Sequence, residues 1–210
     1  MDKKMKYNEK WAPYNLHRWS PRKDETALLV IDMQNYFREL AKEILPPLKS
    51  FIEECRENQI PVIYTAHGHI DPEKDGGILK EWWEDLIIFG SYEHKLIAEI
   101  APKEGEKIIA KKRYSAFYKT DLEAYLRGLG IKDVIISGVM TNLCCETTAR
   151  EAFERDFRVF FLADGTATAD QELHTSSLIN LAFGFATIYT FEEIREKLGF
   201  NTKESRGGEI

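Results

Sequence analysis

The stretch Asp133–Phe153, DVIISGVMTNLCCETTAREAF, contains a strand, a turn and the start of a helix. Its first residues, up to Ser137, form a nearly continuous apolar run, which is typical of a strand buried on both faces. After a short turn, the apolar side chains from Thr141 onward recur at helical spacing. A buried strand that leads directly into a helix is characteristic of a parallel sheet with helices packed on it.

Five further apolar runs of the same kind occur along the chain. They are ALLVID (Ala27–Asp32), PVIYT (Pro61–Thr65), KIIAK (Lys107–Lys111), RVFFLA (Arg158–Ala163) and ATIYT (Ala186–Thr190). Helical patterns lie between them, over 44–58, 78–88, 121–129 and 172–183. Because strands alternate with helices, we expect right-handed β-α-β crossovers and an α/β fold with a six-stranded, mostly parallel sheet.

The composition excludes several classes of protein. The 210 residues include 29 Lys and Arg against 35 Asp and Glu, and the net charge of −6 argues against a nucleic-acid partner. The N-terminus has no secretory apolar region, and no apolar run approaches the ~20 residues that span a bilayer, so we predict a cytoplasmic protein without membrane contact. Three cysteines exclude a disulfide framework. We expect an arm over 1–25, one domain over 26–200 and a polar tail over 201–210.

Three reactive side chains lie at predicted strand ends. Asp32 ends the first strand, Lys111 ends the third, and Cys144 follows the fourth in the first turn of a helix, where free N–H groups and the helix dipole favour a thiolate. Taken alone, each has an ordinary structural explanation. Asp32 would cap a helix, Lys111 would be a solvated charge, and Cys144 would be a small buried side chain. Together they would meet at one sheet edge and supply an acid, a base and a nucleophile. Only one of Lys111 and Lys112 can face that site, because successive strand residues alternate.

Four blocks of sequence resemble the isochorismatase-like cysteine hydrolases. They are ALLVIDMQNYF (27–37), AKKRYSAFYKTDLEAYLRGLGI (110–131), VIISGVMTNLCCETTAREAF (134–153) and VFFLADGTAT (159–168), in the order and spacing of that family. The resemblance covers about Thr26–Leu198. It implies that family's Rossmann-like fold, in which helices cover both faces of a six-stranded parallel sheet, and therefore a three-layer α-β-α sandwich.

The resemblance also implies the residues of an active site. The family's catalytic triad falls on Asp32, Cys144 and Lys111, with Lys111 chosen over its neighbour. A cis peptide between Val139 and Met140 would aim the backbone N–H groups of Met140 and Cys144 into an oxyanion hole. A substrate pocket is expected from residues near the matched blocks, namely Gln34, Phe37, Trp82, Trp83, Tyr114, Phe117 and Asn142. The aromatic residues could equally be core, Asn142 a helix cap, and Gln34 an orienting or solvent-facing residue.

The activity implied by the resemblance is that of the family's amidohydrolase branch, which includes N-carbamoylsarcosine amidase, ureidoacrylate amidohydrolase and nicotinamidase. We expect a cysteine-dependent hydrolase that cleaves the C–N bond of a small amide, carbamoyl or ureido compound through a thioester, without a cofactor. The branch that hydrolyses isochorismate has Gly at the position of Cys144, so that activity is disfavoured. A non-catalytic binding protein of the same fold is one alternative.

A metal-assisted nicotinamidase is the other alternative. His67 and His69 would share one face of an extended strand, as metal ligands could. The family's Asp-x-His metal motif is displaced here, however, and two histidines are a small ligand set for zinc. We therefore expect no metal.

The resemblance further implies a homodimer or homotetramer. The N-terminal arm carries Trp11, Tyr14 and Trp19, which require burial either on the body of the chain or on a neighbouring subunit. The sequence leaves both open.

Overall fold

The structure is a computed structural model that describes residues 10–200. The predicted tail over 201–210 and the first nine residues of the predicted arm lie outside the described residues. Six strands form one sheet in the order β3-β2-β1-β4-β5-β6, and all neighbouring pairs are parallel. The strands are β1 Thr26–Ile31, β2 Val62–His67, β3 Lys107–Lys111, β4 Asp133–Val139, β5 Arg158–Ala167 and β6 Thr187–Tyr189.

Helices connect the strands. They are α1 Leu45–Glu57, α2 Pro72–Asp75, α3 Ile78–Trp83, α4 Leu122–Gly128, α5 Glu146–Glu154, α6 Gln171–Gly184 and α7 Phe191–Leu198. A π-helical turn, Thr141–Cys145, leads directly into α5, and short 3₁₀ turns occur at Ala12–Tyr14, Lys23–Glu25, Asn35–Phe37 and Ala98–Ile100. None of the helices within 10–200 is long and apolar enough to cross a membrane.

Alternate residues of β1 enter two apolar layers on opposite faces of the sheet. Leu29 and Ile31 belong to a core shared with α4, α5 and α6, whereas Leu28 and Val30 belong to a core shared with α1 and α7. All six residues of β1 are buried, which explains why the strand is apolar without alternation. The predicted three-layer α-β-α sandwich with a six-stranded parallel sheet is confirmed.

Some element boundaries differ from the sequence predictions. Strand β2 continues to His67, and the helix predicted over 78–88 ends at Trp83, because Glu84 adopts a left-handed conformation with φ of 60°. Helix α7 was not predicted. Its start carries a capping box, in which Thr190 and Glu193 bond to each other's backbone, and this pattern is visible in the sequence.

The described part of the N-terminal arm packs on the body of the same chain. Trp11 is buried in the core beside α4, α5 and α6. The Asn15 side chain donates to the Ile188 carbonyl at 2.8 Å and accepts from the Ile188 N–H at 3.0 Å, so the arm is bound to β6. Tyr14 and Trp19 remain partly exposed.

Candidate active site

Asp32, Lys111 and Cys144 meet at the carboxyl edge of the sheet. Lys111 Nζ lies 2.7 Å from Asp32 Oδ2 and 3.3 Å from Cys144 Sγ, and it donates to the Arg113 carbonyl at 3.0 Å. The side chains of Asp32 and Lys111 have no solvent exposure, and Cys144 retains 8%. An ammonium group therefore lies between a carboxylate and a thiol in a site almost closed to water.

Strand register brings these residues together. Lys111, the last residue of β3, pairs with His67 of β2, and Gly138 of β4 pairs with Ile31, which directly precedes Asp32. The neighbouring Lys112 is exposed, as the alternation of strand residues requires. The side chain that joins the cluster is thus that of Lys111.

Thr65 of β2 fixes the carboxylate of Asp32. The Thr65 hydroxyl donates to Asp32 Oδ1 at 2.5 Å and accepts from the Asp32 N–H at 3.0 Å, and both residues are completely buried. Asp32 has a φ of 46°, a left-handed conformation that is uncommon for a residue other than glycine. One carboxylate oxygen therefore faces Thr65 and the other faces Lys111. Thr65 was not predicted from the sequence, where only its hydroxyl at the end of an apolar run distinguishes it.

The protonation states follow from burial and neighbouring charge. Burial raises the pKa of the Cys144 thiol to about 12, and the charge of Lys111 opposes this only in part. The thiolate expected from the helix N-terminus is therefore not the resting form, because lost hydration outweighs the favourable field. Burial alone would lower the pKa of Lys111, but its contacts with Asp32, whose charge has the larger effect, and with Cys144 raise it above its ordinary value. Lys111 thus remains an ammonium.

A cis peptide begins the turn before Cys144. It joins Val139 to Met140. The Met140 carbonyl accepts the N–H groups of Leu143 and Cys145, each at 3.1 Å. Met140 and Cys144 both line a cavity over this turn. An oxyanion hole formed by their N–H groups stays a prediction.

Gly138 permits the close approach of β4 to β1. Its φ is 120°, and a Cβ added there would lie 2.1 Å from the Ile31 carbonyl oxygen. Only glycine combines this conformation with so short a backbone contact. The position of the turn before Cys144 therefore depends on a residue without a side chain.

A cavity of about 180 Å³ opens above Cys144. One side, which we name the outer wall, consists of Leu79, Trp83, Asp85, Leu86 and Ile87. The remaining lining is contributed by Asp32, Tyr36, Phe37, His67, Tyr114, Met140, Leu143 and Cys144. The pocket is therefore mostly apolar around a charged floor.

Three of the expected pocket residues do line this cavity, namely Phe37, Trp83 and Tyr114. The ring of Phe37 packs edge-on against Tyr36, with centroids 4.9 Å apart. The indole Nε1 of Trp83 donates to the Tyr114 hydroxyl oxygen at 2.7 Å, which joins the outer wall to the segment after β3. An aromatic rim thus surrounds the entrance.

The other four expected pocket residues lie elsewhere. Trp82 is 74% exposed and does not line the cavity. Phe117 is core, stacked on Phe157 with ring centroids 5.9 Å apart. Gln34 is fully buried, and its amide bonds to backbone groups of β2 and of the later loop. Asn142 accepts from Thr168 at 2.6 Å and does not cap the helix. Phe117 is thus occupied by packing in the core, and Gln34 and Asn142 are occupied by hydrogen bonds to other parts of the chain.

The two histidines considered as metal ligands lie together but do not form a metal site. The rings of His67 and His69 are 5.1 Å apart, and His69 Nδ1 pairs with Asp75 at 3.0 Å. Among residues 10–200, no group of three or more His, Cys, Asp or Glu side chains is placed to hold a metal ion. Burial, aided by the charge of Lys111, lowers the pKa of His67 to about 4. Within residues 10–200, the two histidines therefore lack the further ligands that zinc takes.

Comparisons with known proteins agree with this architecture. The family model of the Isochorismatase domain matches residues 26–193. The chain belongs to the isochorismatase family. A relative from Arabidopsis thaliana, Nicotinamidase 3, is 46% identical over 188 residues, which cover 88% of this chain and 94% of that protein.

Two solved structures extend the likeness of this isochorismatase-family chain. A cysteine hydrolase from Pseudomonas syringae pv. phaseolicola 1448A matches with a TM-score of 0.83 and 27% identity, covering 87% of this chain and 96% of that one. N-carbamoylsarcosine amidase from Thermoplasma acidophilum matches with a TM-score of 0.71 and 27% identity, covering 81% and 98%. The chain is therefore an isochorismatase-like hydrolase.

Most of the outer wall of this isochorismatase-family hydrolase was not predicted from the sequence. Leu79 lies on α3, whereas Leu86 and Ile87 follow the left-handed residue Glu84, after which the chain returns toward β2. The His69 N–H donates to the Ile87 carbonyl at 2.8 Å in that return. The apolar spacing predicts one continuous helix over 78–88, so only the folded chain shows that these residues border the cavity.

Proposed function

We propose that the protein is a cysteine-dependent amidohydrolase that cleaves the C–N bond of a small amide through a thioester. The observation that carries the proposal is the contact of Lys111 Nζ with both Asp32 Oδ2, at 2.7 Å, and Cys144 Sγ, at 3.3 Å, at the floor of a cavity. A base, a cation and a thiol at hydrogen-bond distance are what nucleophilic attack requires. A non-catalytic binding role would leave this buried ion pair and thiol without a purpose.

The first half of the reaction forms the thioester. Asp32 takes the proton of the Cys144 thiol as the sulfur attacks the amide carbon, since the resting group is a thiol. Lys111 keeps its proton and stabilises the developing thiolate. The carbonyl oxygen becomes an oxyanion, which accepts hydrogen bonds from the N–H groups of Met140 and Cys144. Asp32 then returns the proton to the nitrogen, the C–N bond breaks, and ammonia or an amine leaves.

The second half restores the enzyme. Asp32 takes a proton from water, and the resulting hydroxide attacks the thioester carbon. The C–S bond breaks, the sulfur of Cys144 recovers a proton from Asp32, and the carboxylic acid product leaves and gives up its own proton to the solvent. Every group that moves a proton in this cycle belongs to the buried cluster, and no cofactor takes part.

The lining of the pocket favours an uncharged substrate. No Lys or Arg is among the described residues that line it, whereas Asp85 is. Carbamoyl amino acids and ureido acids carry a carboxylate that would remain unpaired between these apolar walls, at a considerable cost in free energy. We therefore place neutral carboxamides ahead of carbamoyl and ureido compounds as substrates.

Nicotinamide is the first candidate among neutral amides. The relative named Nicotinamidase 3 is 46% identical and aligned over 94% of its length, and a flat ring suits a cavity bordered by Phe37, Trp83 and Tyr114. The metal-assisted form of this activity is disfavoured, because His67 and His69 lack, within residues 10–200, the further ligands that a metal needs.

Ammonia release from nicotinamide, benzamide and an N-carbamoyl amino acid, measured with the full-length chain, tests the proposal. We expect turnover of the neutral amides and a loss of at least ~10⁴-fold in kcat for Cys144→Ala, as for other removed nucleophiles. Cys145→Ala is the matched control, since that buried thiol packs in the core, and it should retain turnover. Equal rates for Cys144→Ala and the parent enzyme would refute the mechanism.

We also propose that the enzyme is a cytoplasmic homodimer or homotetramer. Large apolar side chains near the pocket are exposed in the single chain, including Ile78 at 65%, Trp82 at 74% and Tyr92 at 66%. Burial against a second copy would remove them from water. Light scattering coupled to size-exclusion chromatography should give a mass of two or four chains, and a monomeric mass at micromolar concentration would contradict this.

A further inference from the structure

The Tyr114 hydroxyl has a proton that no described residue accepts. Trp83 Nε1 lies 2.7 Å from the Tyr114 oxygen, and an indole N–H can only donate, so Tyr114 is the acceptor in this bond. Tyr114 donates to no group within residues 10–200. Because Trp83 occupies one lone pair and fixes the oxygen, the hydroxyl hydrogen is left for another acceptor. Both side chains line the cavity.

The other polar side chains around the cavity are already engaged. The Tyr36 hydroxyl must donate to Asp85, 3.0 Å away, because a carboxylate only accepts. The carboxylate of Asp32 is held by Thr65 and the ion pair at the floor. His67 bonds to the backbone of Arg113, and its Nδ1 atom is buried without a partner among the described residues. Among the described side chains that line the cavity, and apart from the proposed catalytic cluster, Tyr114 therefore has the hydroxyl hydrogen best placed for a ligand.

We propose that Tyr114 is a specificity-determining residue that donates a hydrogen bond to a second acceptor atom of the substrate, beyond the amide being cleaved. The proposal rests on the proposed amidohydrolase function and narrows its substrate class to neutral carboxamides whose ring carries an acceptor, such as a pyridine-type nitrogen. An apolar ring without that atom would bury the hydroxyl without a partner, and a site built in this way rejects such an analogue.

A comparison of substrates tests the proposal. The three pyridinecarboxamides and benzamide share size and shape, and they differ only in the ring nitrogen and its position. We expect the best pyridinecarboxamide to exceed benzamide by about tenfold in kcat/KM, the effect of one good neutral hydrogen bond. In Tyr114→Phe this ratio should fall to about 1, because the phenyl ring remains and the donor is gone. Tyr118→Phe, at an exposed tyrosine outside the cavity, is the matched control and should keep the parent ratio.

The ratio separates recognition from structural damage, since damage would lower both rates and leave the ratio in place. Calorimetric titration of Cys144→Ala and of Cys144→Ala/Tyr114→Phe with the same four compounds reports binding without turnover. We expect the tenfold preference in the first protein and its loss in the second. A preference that survives Tyr114→Phe, or equal affinity of Cys144→Ala for benzamide and every pyridine isomer, would overturn the proposal.

These measurements test the proposed hydrolysis and the proposed role of Tyr114 independently. Preferential binding that depends on Tyr114, without any ammonia release by the parent enzyme, would refute hydrolysis and support the role of Tyr114. Equal hydrolysis of benzamide and the pyridinecarboxamides would support hydrolysis and refute the role of Tyr114.

Discussion

The catalytic cluster of Asp32, Lys111 and Cys144 and the outer wall over residues 79–87 are held by the fold in different ways. The side chains of Asp32 and Lys111 have no exposure, and the register of β1 and β3 on either side of β2 fixes their positions. Trp83 of the outer wall is 47% exposed and ends a short helix. In the proposed function, the chemistry thus belongs to the buried edge of the sheet, whereas substrate recognition belongs to a more exposed segment.

The outer wall is nevertheless attached to the sheet. The His69 N–H donates to the Ile87 carbonyl and the Phe89 N–H donates to the His69 carbonyl, both at 2.8 Å, so the wall continues β2 as a parallel bridge. Its backbone is fixed, while its side chains remain free to vary. The two regions should therefore respond differently to substitution.

Among substitutions that leave the Cys144 thiol in place, the largest effect should come from Lys111→Met, which leaves Asp32 buried without its cation. We expect kcat/KM to fall by at least ~10³-fold, as when other members of a catalytic unit are removed. The free energy of unfolding should fall by about 3–5 kcal/mol, since one partner of a buried pair is lost. Ammonia release and urea unfolding measure the two effects. Lys112→Met, at the exposed neighbour, should leave both within experimental error, and an active Lys111→Met enzyme would disprove the assignment.

Gly138→Ala tests the backbone that supports the cluster. A Cβ at this position would lie 2.1 Å from the Ile31 oxygen at a φ of 120°, so strands β1 and β4 must separate. We expect a loss of about 3 kcal/mol or more in the free energy of unfolding. Gly128→Ala is the matched control, because a Cβ added there would meet no atom of the described residues within 4 Å. Comparable urea midpoints for the two variants would show that the close approach is not required.

Thr65→Val tests the hydrogen bond that orients Asp32 within the cluster. The change keeps the shape of the side chain and removes the hydroxyl that bonds Asp32, so the carboxylate loses its orientation. A hydrogen bond to a charged group is worth about 1.5–3 kcal/mol, and we expect kcat to fall between about tenfold and 100-fold with little change in KM. Thr65→Ser should restore most of the rate because it returns the donor. Equal kcat values for the valine and serine variants would mean that Thr65 only packs.

The smallest effect should come from the outer wall. Trp83→Phe keeps an aromatic ring but removes the N–H that bonds Tyr114. Since one exposed, neutral hydrogen bond is lost, KM for the preferred amide should rise by roughly threefold to tenfold while kcat changes little. Steady-state kinetics give both constants. A fall in kcat comparable to that of Thr65→Val would show that the two regions are not separable.

The same contrast explains what could be predicted from the sequence. The apolar runs that end at Asp32 and Lys111 predict that both residues lie at the carboxyl ends of strands, and therefore at one edge of the sheet. The choice of Lys111 over Lys112 rests on the resemblance to the family. Trp82 and Trp83 are adjacent and chemically identical. In the folded chain Trp83 lines the cavity and bonds to Tyr114, whereas Trp82, on another side of the same helix, is 74% exposed.

The protonation state of Cys144 could not be predicted from the sequence either. The position of Cys144 at a helix start predicts a thiolate, but the enclosure of its sulfur by the sheet edge raises its pKa to about 12, mainly through burial. Enclosure depends on every element packed around the site. A local motif does not contain that information.

The backbone attachment of the outer wall to the end of β2 has an evolutionary consequence. Because the His69–Ile87–Phe89 bridge needs no particular side chain, substitutions along 79–87 can reshape the pocket without disturbing the sheet edge that carries out the reaction. A single ancestral reaction centre can in this way acquire new substrates through changes in a few adjacent codons. Enzymes with this arrangement should diverge in what they bind far faster than in what they do to it.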